Sequence, residues 1–249
     1  MTSSSIRFIA LSAAILASLP AMAHVSYTGR DLGTFSGLVN TSNYIYNQAT
    51  TGNYGWADAA DADWGDSHKA KWFKFTLSNA ATVSLNASAN ATATSTSVGG
   101  LIPAFSLYAG VAPSAAYDTA AVTQAYRATL GFPTEGVWNA LGDFQIGNDS
   151  GVINTLSYIG SSLDGAGYLG DGVQDGTTTK TFTLAAGTYS FIVAGGDYLA
   201  QLPSNPDLGK AFGMAVAISV TTVPEPASFG LLAAGLIAVG MARRQRQQR

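Results

Sequence analysis

Short stretches of β-forming residues recur along the chain, and residues that favour turns separate them. Residues 82–88 alternate apolar and polar positions, as a strand with one buried face does. Residues 181–184 and 188–194 flank a glycine turn and predict a β-hairpin. Helical periodicity is sustained only over residues 119–129, which predicts one short helix. Further strands are predicted at residues 71–77, 104–108, 152–159 and 212–220. The pattern predicts an all-β fold, most simply a β-sandwich of two antiparallel sheets.

The first 23 residues contain the parts of a secretory signal peptide in the expected order. Arg7 precedes an apolar stretch at residues 8–19, and the small residues Ala21 and Ala23 form a cleavage site. Cleavage after Ala23 would make His24 the mature N-terminus. The alternative is a retained membrane anchor, but the apolar stretch is shorter than the ~20 residues that a spanning helix needs.

The C-terminal segment, residues 223–249, also has three parts. Val223, Pro224, Glu225 and Pro226 form a short motif, in which the prolines end the preceding strand. An uncharged apolar run at residues 227–242 follows, and at ~1.5 Å per residue it would form a helix about 24 Å long, close to the ~30 Å of a hydrocarbon core. This run predicts a single transmembrane helix. The basic tail, 243–249, contains four arginines and predicts a cytoplasmic C-terminus.

Together these three parts resemble the PEP-CTERM sorting signal. The resemblance rests on Val223, Pro224, Glu225 and Pro226, the apolar helix and the closing arginines, and it covers residues 223–249 only. It implies that an integral membrane transpeptidase, exosortase, recognises the motif and removes the helix. It also implies a Gram-negative bacterium that makes extracellular polysaccharide. The protein would then go from the inner membrane to the cell surface or to the extracellular matrix.

Between the two targeting segments, residues 24–222 predict one β-sandwich domain. Their strand pattern is similar to the jelly-roll domains that follow bacterial secreted peptidases, a resemblance that implies the fold alone. This part of the chain contains seven basic and fourteen acidic residues, a net charge of about −7. Because phosphate binding needs clustered lysine and arginine, we expect no nucleic-acid partner. The chain has no cysteine, so neither disulfides nor thiol chemistry are available.

Catalytic motifs are absent from the sequence. The only histidines are His24 and His68, and there is neither a Gly-x-Ser-x-Gly nor a His-Glu-x-x-His motif. A glycosidase would need two carboxylates about 5–9.5 Å apart, which sequence spacing cannot place. We therefore expect a non-enzymatic surface or matrix protein with an adhesive, structural or polysaccharide-binding role. The alternative is a secreted hydrolase that acts on glycans through an unrecognised carboxylate site.

Two groups of aspartates resemble calcium loops loosely. Calcium takes six to eight oxygen ligands, but neither group has the spacing of a known calcium loop. We therefore expect no cofactor, with calcium binding as the alternative. The two groups are Asp58, Asp61, Asp63 and Asp66, and Asp164, Asp171 and Asp175.

Several aromatic residues lie in turn-rich segments rather than in strands. Exposed rings are a platform on which the C–H faces of sugars stack, so these residues are candidates for polysaccharide binding. The alternative is that they close the ends of the sandwich as core residues. The candidates are Tyr54, Trp56, Trp64 and Trp138.

Overall fold

A computed structural model describes residues 25–57, 64–130, 138–166 and 169–223. The predicted signal peptide with its cleavage site at Ala21, Ala23 and His24 lies outside these ranges, as do Pro224, Glu225, Pro226, the apolar run and the basic tail. Among the described residues, no helix is long and apolar enough to cross a membrane.

Twelve strands and one α-helix make up the described part of the chain. The strands are β1 (Asp31–Phe35), β2 (Thr41–Thr51), β3 (Trp64–Gly65), β4 (Lys71–Leu77), β5 (Ala81–Ala89), β6 (Pro103–Ala109), β7 (Trp138–Asn139), β8 (Phe144–Gly147), β9 (Ile153–Leu163), β10 (Thr177–Leu184), β11 (Gly187–Gly195) and β12 (Ala211–Thr222). Helix α1 spans Ala121–Leu130, and a 3-10 helix spans Tyr198–Gln201. The short helix predicted at residues 119–129 is thus confirmed.

The two main sheets pack face to face as a sandwich, which confirms the predicted all-β class. One sheet has the strand order β1-β4-β11-β6-β9-β8 and the other β10-β5-β12-β2. The chain crosses repeatedly between the two sheets, for example from β4 to β5, from β5 to β6 and from β10 to β11. Pairing is antiparallel except that β1 runs parallel to β4, a departure from the purely antiparallel prediction.

The predicted hairpin between β10 and β11 is wrong. Strand β10 pairs with β5 in the four-stranded sheet, whereas β11 pairs with β4 and β6 in the six-stranded sheet. The glycine turn between them therefore crosses from one sheet to the other. Crossing lets Phe182 from β10 and Phe191 from β11 enter the same core from opposite sides.

Alternating apolar residues from the two sheets fill the space between them. Phe191 packs edge-on against Phe105, with ring centroids 4.9 Å apart, and lies 5.9 Å from Phe73. From the opposite sheet, Val83 and Leu85 of β5 are fully buried. Burial of side chains of this size stabilises the fold by about 1.5–3 kcal/mol each.

A second apolar cluster covers the other face of the six-stranded sheet. Trp72 of β4 and Ile192 of β11 point away from the first core and are nevertheless buried. Helix α1 and the β3-β7 ribbon form this outer layer, where the guanidinium of Arg127 lies 4.0 Å above the Trp64 ring. This layer covers the six-stranded sheet around β4 and β11, whereas the outward positions of β5 and β10 in the four-stranded sheet are half-buried or exposed.

Candidate functional site

The outer face of the four-stranded sheet carries small polar side chains in rows. In β5 the inward positions are apolar, so the alternating residues Thr82, Ser84, Asn86 and Ser88 point outward. The other three strands supply matching outward positions in register. We call this surface the hydroxyl face; its remaining members are Ser42, Tyr44, Tyr46, Thr179, Thr181, Thr183, Ala215, Ala217, Ser219 and Thr221.

Hydrogen bonds connect neighbouring strands across the hydroxyl face. The Asn86 side-chain amide donates to the Thr179 hydroxyl at 2.9 Å, and the Thr181 hydroxyl donates to that of Ser84 at 3.3 Å. None of the residues of this face is charged, although the domain as a whole is acidic. The single lysine of β10, Lys180, points to the opposite side, where it donates to the Ser161 carbonyl at 2.8 Å. The face therefore offers hydroxyl and amide groups and no charged side chain.

Two tyrosines stand at the edge of the hydroxyl face. Tyr44 and Tyr46 are separated by one residue in β2, which places both rings on the outer side of this edge strand. Their side chains are 65% and 60% exposed, and the ring centroids lie 5.8 Å apart at an angle of 36°. Ala217 lies opposite Tyr44 on β12, so no large neighbour covers the ring from that side. The pair forms a small aromatic platform beside the polar rows.

Sequence reasoning did not predict this platform. Residues 44–46 read Tyr-Ile-Tyr, and Ile45 packs partly against the core while both tyrosines remain outside. This alternation is the signal that could have revealed an edge strand with two outward rings.

The three tryptophan candidates are core residues, as the alternative interpretation expects, although they cover a face of the six-stranded sheet rather than an end of the sandwich. Trp56, Trp64 and Trp138 are buried in the second apolar cluster. The Trp56 indole N–H donates to the Ser106 hydroxyl at 3.0 Å. Tyr54 is half-buried, with the Lys69 ammonium 5.3 Å from its ring centroid. The three tryptophan rings are part of the outer layer and cannot stack on a sugar without unfolding it.

His68 lies beside two carboxylates on the surface. Its Nδ1 atom is 3.2 Å from Asp66 Oδ1 and 3.7 Å from Asp118 Oδ2. Asp66 Oδ1 also accepts the backbone N–H of His68 at 2.8 Å, which fixes the turn. Asp58, Asp61 and Asp63 lie outside the described residues. Within the described ranges, no three acidic, histidine or cysteine side chains are grouped so that they could hold a metal ion.

The second aspartate group organises a loop. Asp164 is buried, and its two carboxylate oxygens accept the backbone N–H groups of Asp175 and Gly176 at 2.8 and 2.9 Å. Asp171 Oδ1 accepts the backbone N–H of Gly165 at 3.2 Å. Backbone amides thus occupy oxygens that a calcium ion would need.

A groove runs beside the N-terminal segment. It is lined by residues 25–29 and 111–115 and closed by the ion pair of Lys74 with Asp31, whose atoms are 3.0 Å apart. At its side, the Tyr27 hydroxyl lies 2.7 Å from that of Ser190 and accepts the Ala112 backbone N–H at 3.1 Å. Burial raises the pKa of Tyr27, an effect that these hydrogen bonds partly offset.

Of the predicted sorting motif, only Val223 is among the described residues. It follows β12 directly and is 38% exposed. The preceding residue, Thr222, donates its backbone N–H to the Asn40 side chain at 3.3 Å. The last strand of the sandwich therefore ends at Thr222, two residues before Pro224.

Comparison with known protein families confirms the sorting signal. The PEP-CTERM protein-sorting motif matches residues 222–246. A chain with this motif is an exported protein that an exosortase sorts. No curated protein matches the chain.

Two solved structures resemble the chain at low identity. CorA, a surface-associated copper-binding protein of Methylomicrobium album BG8, is 18% identical, with a TM-score of 0.46 over 79% of this chain and 98% of CorA. The mercury-soaked secreted protein MopE of Methylococcus capsulatus, in which an oxidised tryptophan facilitates copper binding, is 18% identical, with a TM-score of 0.39 over 78% of this chain and 87% of MopE. Both are too distant to bear on the ligand of this chain.

Proposed function

We propose that this chain is a non-enzymatic surface protein that binds extracellular polysaccharide on its hydroxyl face. The observation that carries the proposal is the exposed pair Tyr44 and Tyr46 beside uncharged rows of hydroxyl groups. Sugar rings present C–H faces that stack on aromatic rings, and equatorial hydroxyls that bond to serine, threonine and asparagine side chains. The platform and the polar rows match these two requirements on one face of the sheet, with Ala215 and Ala217 of β12 between them.

The spacing of the two rings favours an extended glycan over a single sugar. Ring centroids 5.8 Å apart lie along the strand at a distance of the order of one sugar unit. Thr179, Thr181 and Ser84 continue across the sheet and can bond to substituents of the same chain or of a neighbouring one. Many weak contacts along a repeating polymer add through multivalency, which suits a matrix protein.

The two ends of the chain supply the route to the matrix. The signal peptide directs export, and the apolar run 227–242 anchors the precursor in the inner membrane of a Gram-negative cell. Cleavage at the motif by exosortase then frees the domain for the surface. Intact-mass spectrometry of the surface fraction tests this route. A product that begins at His24 and ends near Pro226, formed only in cells that have exosortase, is the expected result; a full-length tail in both strains would refute it.

Binding is tested with the purified domain and the matrix polysaccharide of the producing strain. We expect the protein to co-sediment with the polysaccharide in a way that salt does not weaken, because the face is uncharged. If no binding is detected in this assay or on a glycan array, the proposal is refuted. Release of reducing sugar during the incubation would instead favour the alternative, a glycan hydrolase.

A second candidate function, binding of a divalent transition metal, follows from His68. Its Nδ1 faces Asp66, the arrangement in which a carboxylate orients an imidazole so that Nε2 can bind a metal. The Val25 backbone N–H donates to the Ala116 carbonyl at 2.6 Å, and Asp118, near His68, follows two residues later. Cleavage after Ala23 would leave His24, the residue before Val25, as the mature N-terminus, and its amine and imidazole are two further nitrogen donors.

Nitrogen donors of this kind favour copper(II) among divalent metals. The test is calorimetric titration of copper(II) into the secreted protein and into its His24→Ala and His68→Ala variants. One equivalent bound by the wild type and lost in both variants supports the site. Binding that survives in either variant refutes it.

A further inference from the structure

The part of the sandwich end from which the sorting segment leaves has no charged residue; Asp149 is at the same end but lies in the connection between β8 and β9, on the far side of β6. Three connections lie there beside Val223: residues 36–40 after β1, residues 78–80 after β4, and residues 185–186 after β10. We call this surface the tail end. Its sequence is Ser-Gly-Leu-Val-Asn, Ser-Asn-Ala and Ala-Ala, all neutral. The acidic side chains of the domain lie on other segments.

Contacts between the connections make the tail end one surface. The Asn79 side-chain amide donates to the Ser36 carbonyl at 2.8 Å, and the Asn40 side chain accepts the Thr222 backbone N–H. Ala81 is in register with both Leu184 and Thr222, so the ends of β10 and β12 lie on either side of the start of β5.

Apolar side chains project from this neutral surface. Leu38 and Val39 are 68% and 60% exposed, and Val223 beside them is 38% exposed. These two aliphatic side chains lie at the tip of a turn whose other residues are small or polar. Because they are exposed, they contribute no burial energy to the folded domain. Their exposure is explained if a second apolar phase covers them in one state of the protein.

The length of chain beyond β12 indicates that the apolar phase is the lipid bilayer. Only residues 223–226 separate Thr222 from the apolar run that begins at residue 227. Four residues span at most about 13–14 Å when fully extended, and the two prolines favour that extended form. The headgroup layer of one leaflet is itself about 5–8 Å thick. A membrane-spanning run would therefore hold the tail end against the headgroups.

We infer that, in the precursor, Leu38, Val39 and Val223 dock on the outer leaflet of the inner membrane. The inference rests on the proposed transmembrane anchor. A neutral surface approaches anionic lipids without repulsion, whereas the acidic faces of the domain are repelled. Docking keeps Glu225 and its prolines at the membrane surface, where an integral membrane transpeptidase can reach them, and cleavage releases the domain from the lipid.

The absence of cysteine makes a site-specific fluorescence test possible. The full-length Val39→Cys protein is labelled with nitrobenzoxadiazole and reconstituted into liposomes of phosphatidylethanolamine with a minority of phosphatidylglycerol. The matched control is Ser95→Cys, exposed in the loop after β5 near the start of β12, about 35–40 Å from the tail end along that strand. Lipids spin-labelled near the headgroup serve as quenchers.

Docking predicts that the label at Val39→Cys shifts to shorter wavelength and loses most of its emission to the spin-labelled lipids, while the label at Ser95→Cys keeps its emission. A Leu38→Asp substitution in the Val39→Cys protein should restore most of the emission without releasing the protein from the liposomes.

The two ways of failing are distinguishable by flotation. A protein that floats with the liposomes but shows equal, weak quenching at both positions overturns docking and leaves the anchor intact. If the Val39→Cys label shifts to shorter wavelength only when exosortase is present, docking on lipid is also overturned. The tail end would then be a contact surface for the enzyme. A protein that does not float refutes the anchor, and the docking with it.

Discussion

Replacing Tyr44 and Tyr46 with alanine should weaken polysaccharide binding by about 10- to 100-fold without unfolding the domain. Both rings lie at the edge of the hydroxyl face and project into solvent. Removing exposed side chains of this kind usually changes stability by less than about 0.5 kcal/mol. A loss of binding would therefore report on the contact itself.

The magnitude follows from the exposed area of the rings. A tyrosine side chain offers about 150–250 Å², and a sugar that covers one face of a ring about 65% exposed would remove some 50–80 Å² from water. At about 25 cal/mol per Å² this burial is worth about 1–2 kcal/mol, of which ordering of the glycan consumes part. About 1 kcal/mol per ring, or about 2 kcal/mol for the pair, corresponds to roughly 30-fold in affinity. Because the two rings are close together, the effects of the two substitutions need not add, which widens the expected range of the loss in affinity.

The assay is a binding isotherm of each variant on the matrix polysaccharide, with the melting temperature as a control for folding. Tyr198→Ala is the matched control, because Tyr198 is exposed in the 3-10 helix outside the hydroxyl face. The double phenylalanine variant keeps the stacking surface and should recover most of the affinity. If the double alanine variant binds like the wild type while the protein itself binds, another surface recognises the glycan and our reasoning about the platform is wrong.

Four further predictions concern sorting and stability. Alanine at residues 224–226 should leave the precursor in the inner membrane, which cell fractionation detects; surface delivery of that variant would mean that the tail is only an anchor. Asp164→Ala should lower the free energy of unfolding by about 1–3 kcal/mol, because two backbone N–H groups lose a buried charged acceptor, whereas Asp175→Ala, which loses one exposed bond, should cost less in the same urea titration. Burial raises the pKa of Tyr27, so its contribution to stability is complete below about pH 10 and is lost as the pH rises through the folded-state pKa; Tyr27→Phe should flatten this alkaline decline in urea titrations. Chelation with EDTA should leave the melting temperature unchanged, since backbone amides already bind Asp164; a fall that calcium restores and copper(II) does not would indicate calcium.

The predictability of the fold differed between elements. Strand β5 could be predicted because one of its faces is buried and the other faces solvent, so apolar and polar residues alternate in the sequence. The β10-β11 hairpin was misread, since two apolar strands joined by a glycine turn look alike whether they share a sheet or face each other across a core. Local pattern carries the spacing of the strands but not their partners.

The candidate site shows the same limit. Turn-rich surroundings suggested exposure for Trp56, Trp64 and Trp138, but an outer layer formed by α1, the β3-β7 ribbon and long connections covers all three. Tyr44 and Tyr46 lie on the sheet that has no such layer. Which face of a sheet remains exposed to solvent depends on segments that are far away in sequence. It therefore cannot be predicted from the local sequence pattern.

The sorting signal of this protein is a linear segment of its sequence. The PEP-CTERM motif is a short linear signal, so it requires no tertiary contact and can be recognised directly from residues 222–246; the signal peptide is predicted from residues 1–23 in the same way. The surface that would act once the protein is sorted was decided only by the folded structure. Exposure is a property of what packs over a residue, and in a β-sandwich almost all of that packing joins residues distant along the chain.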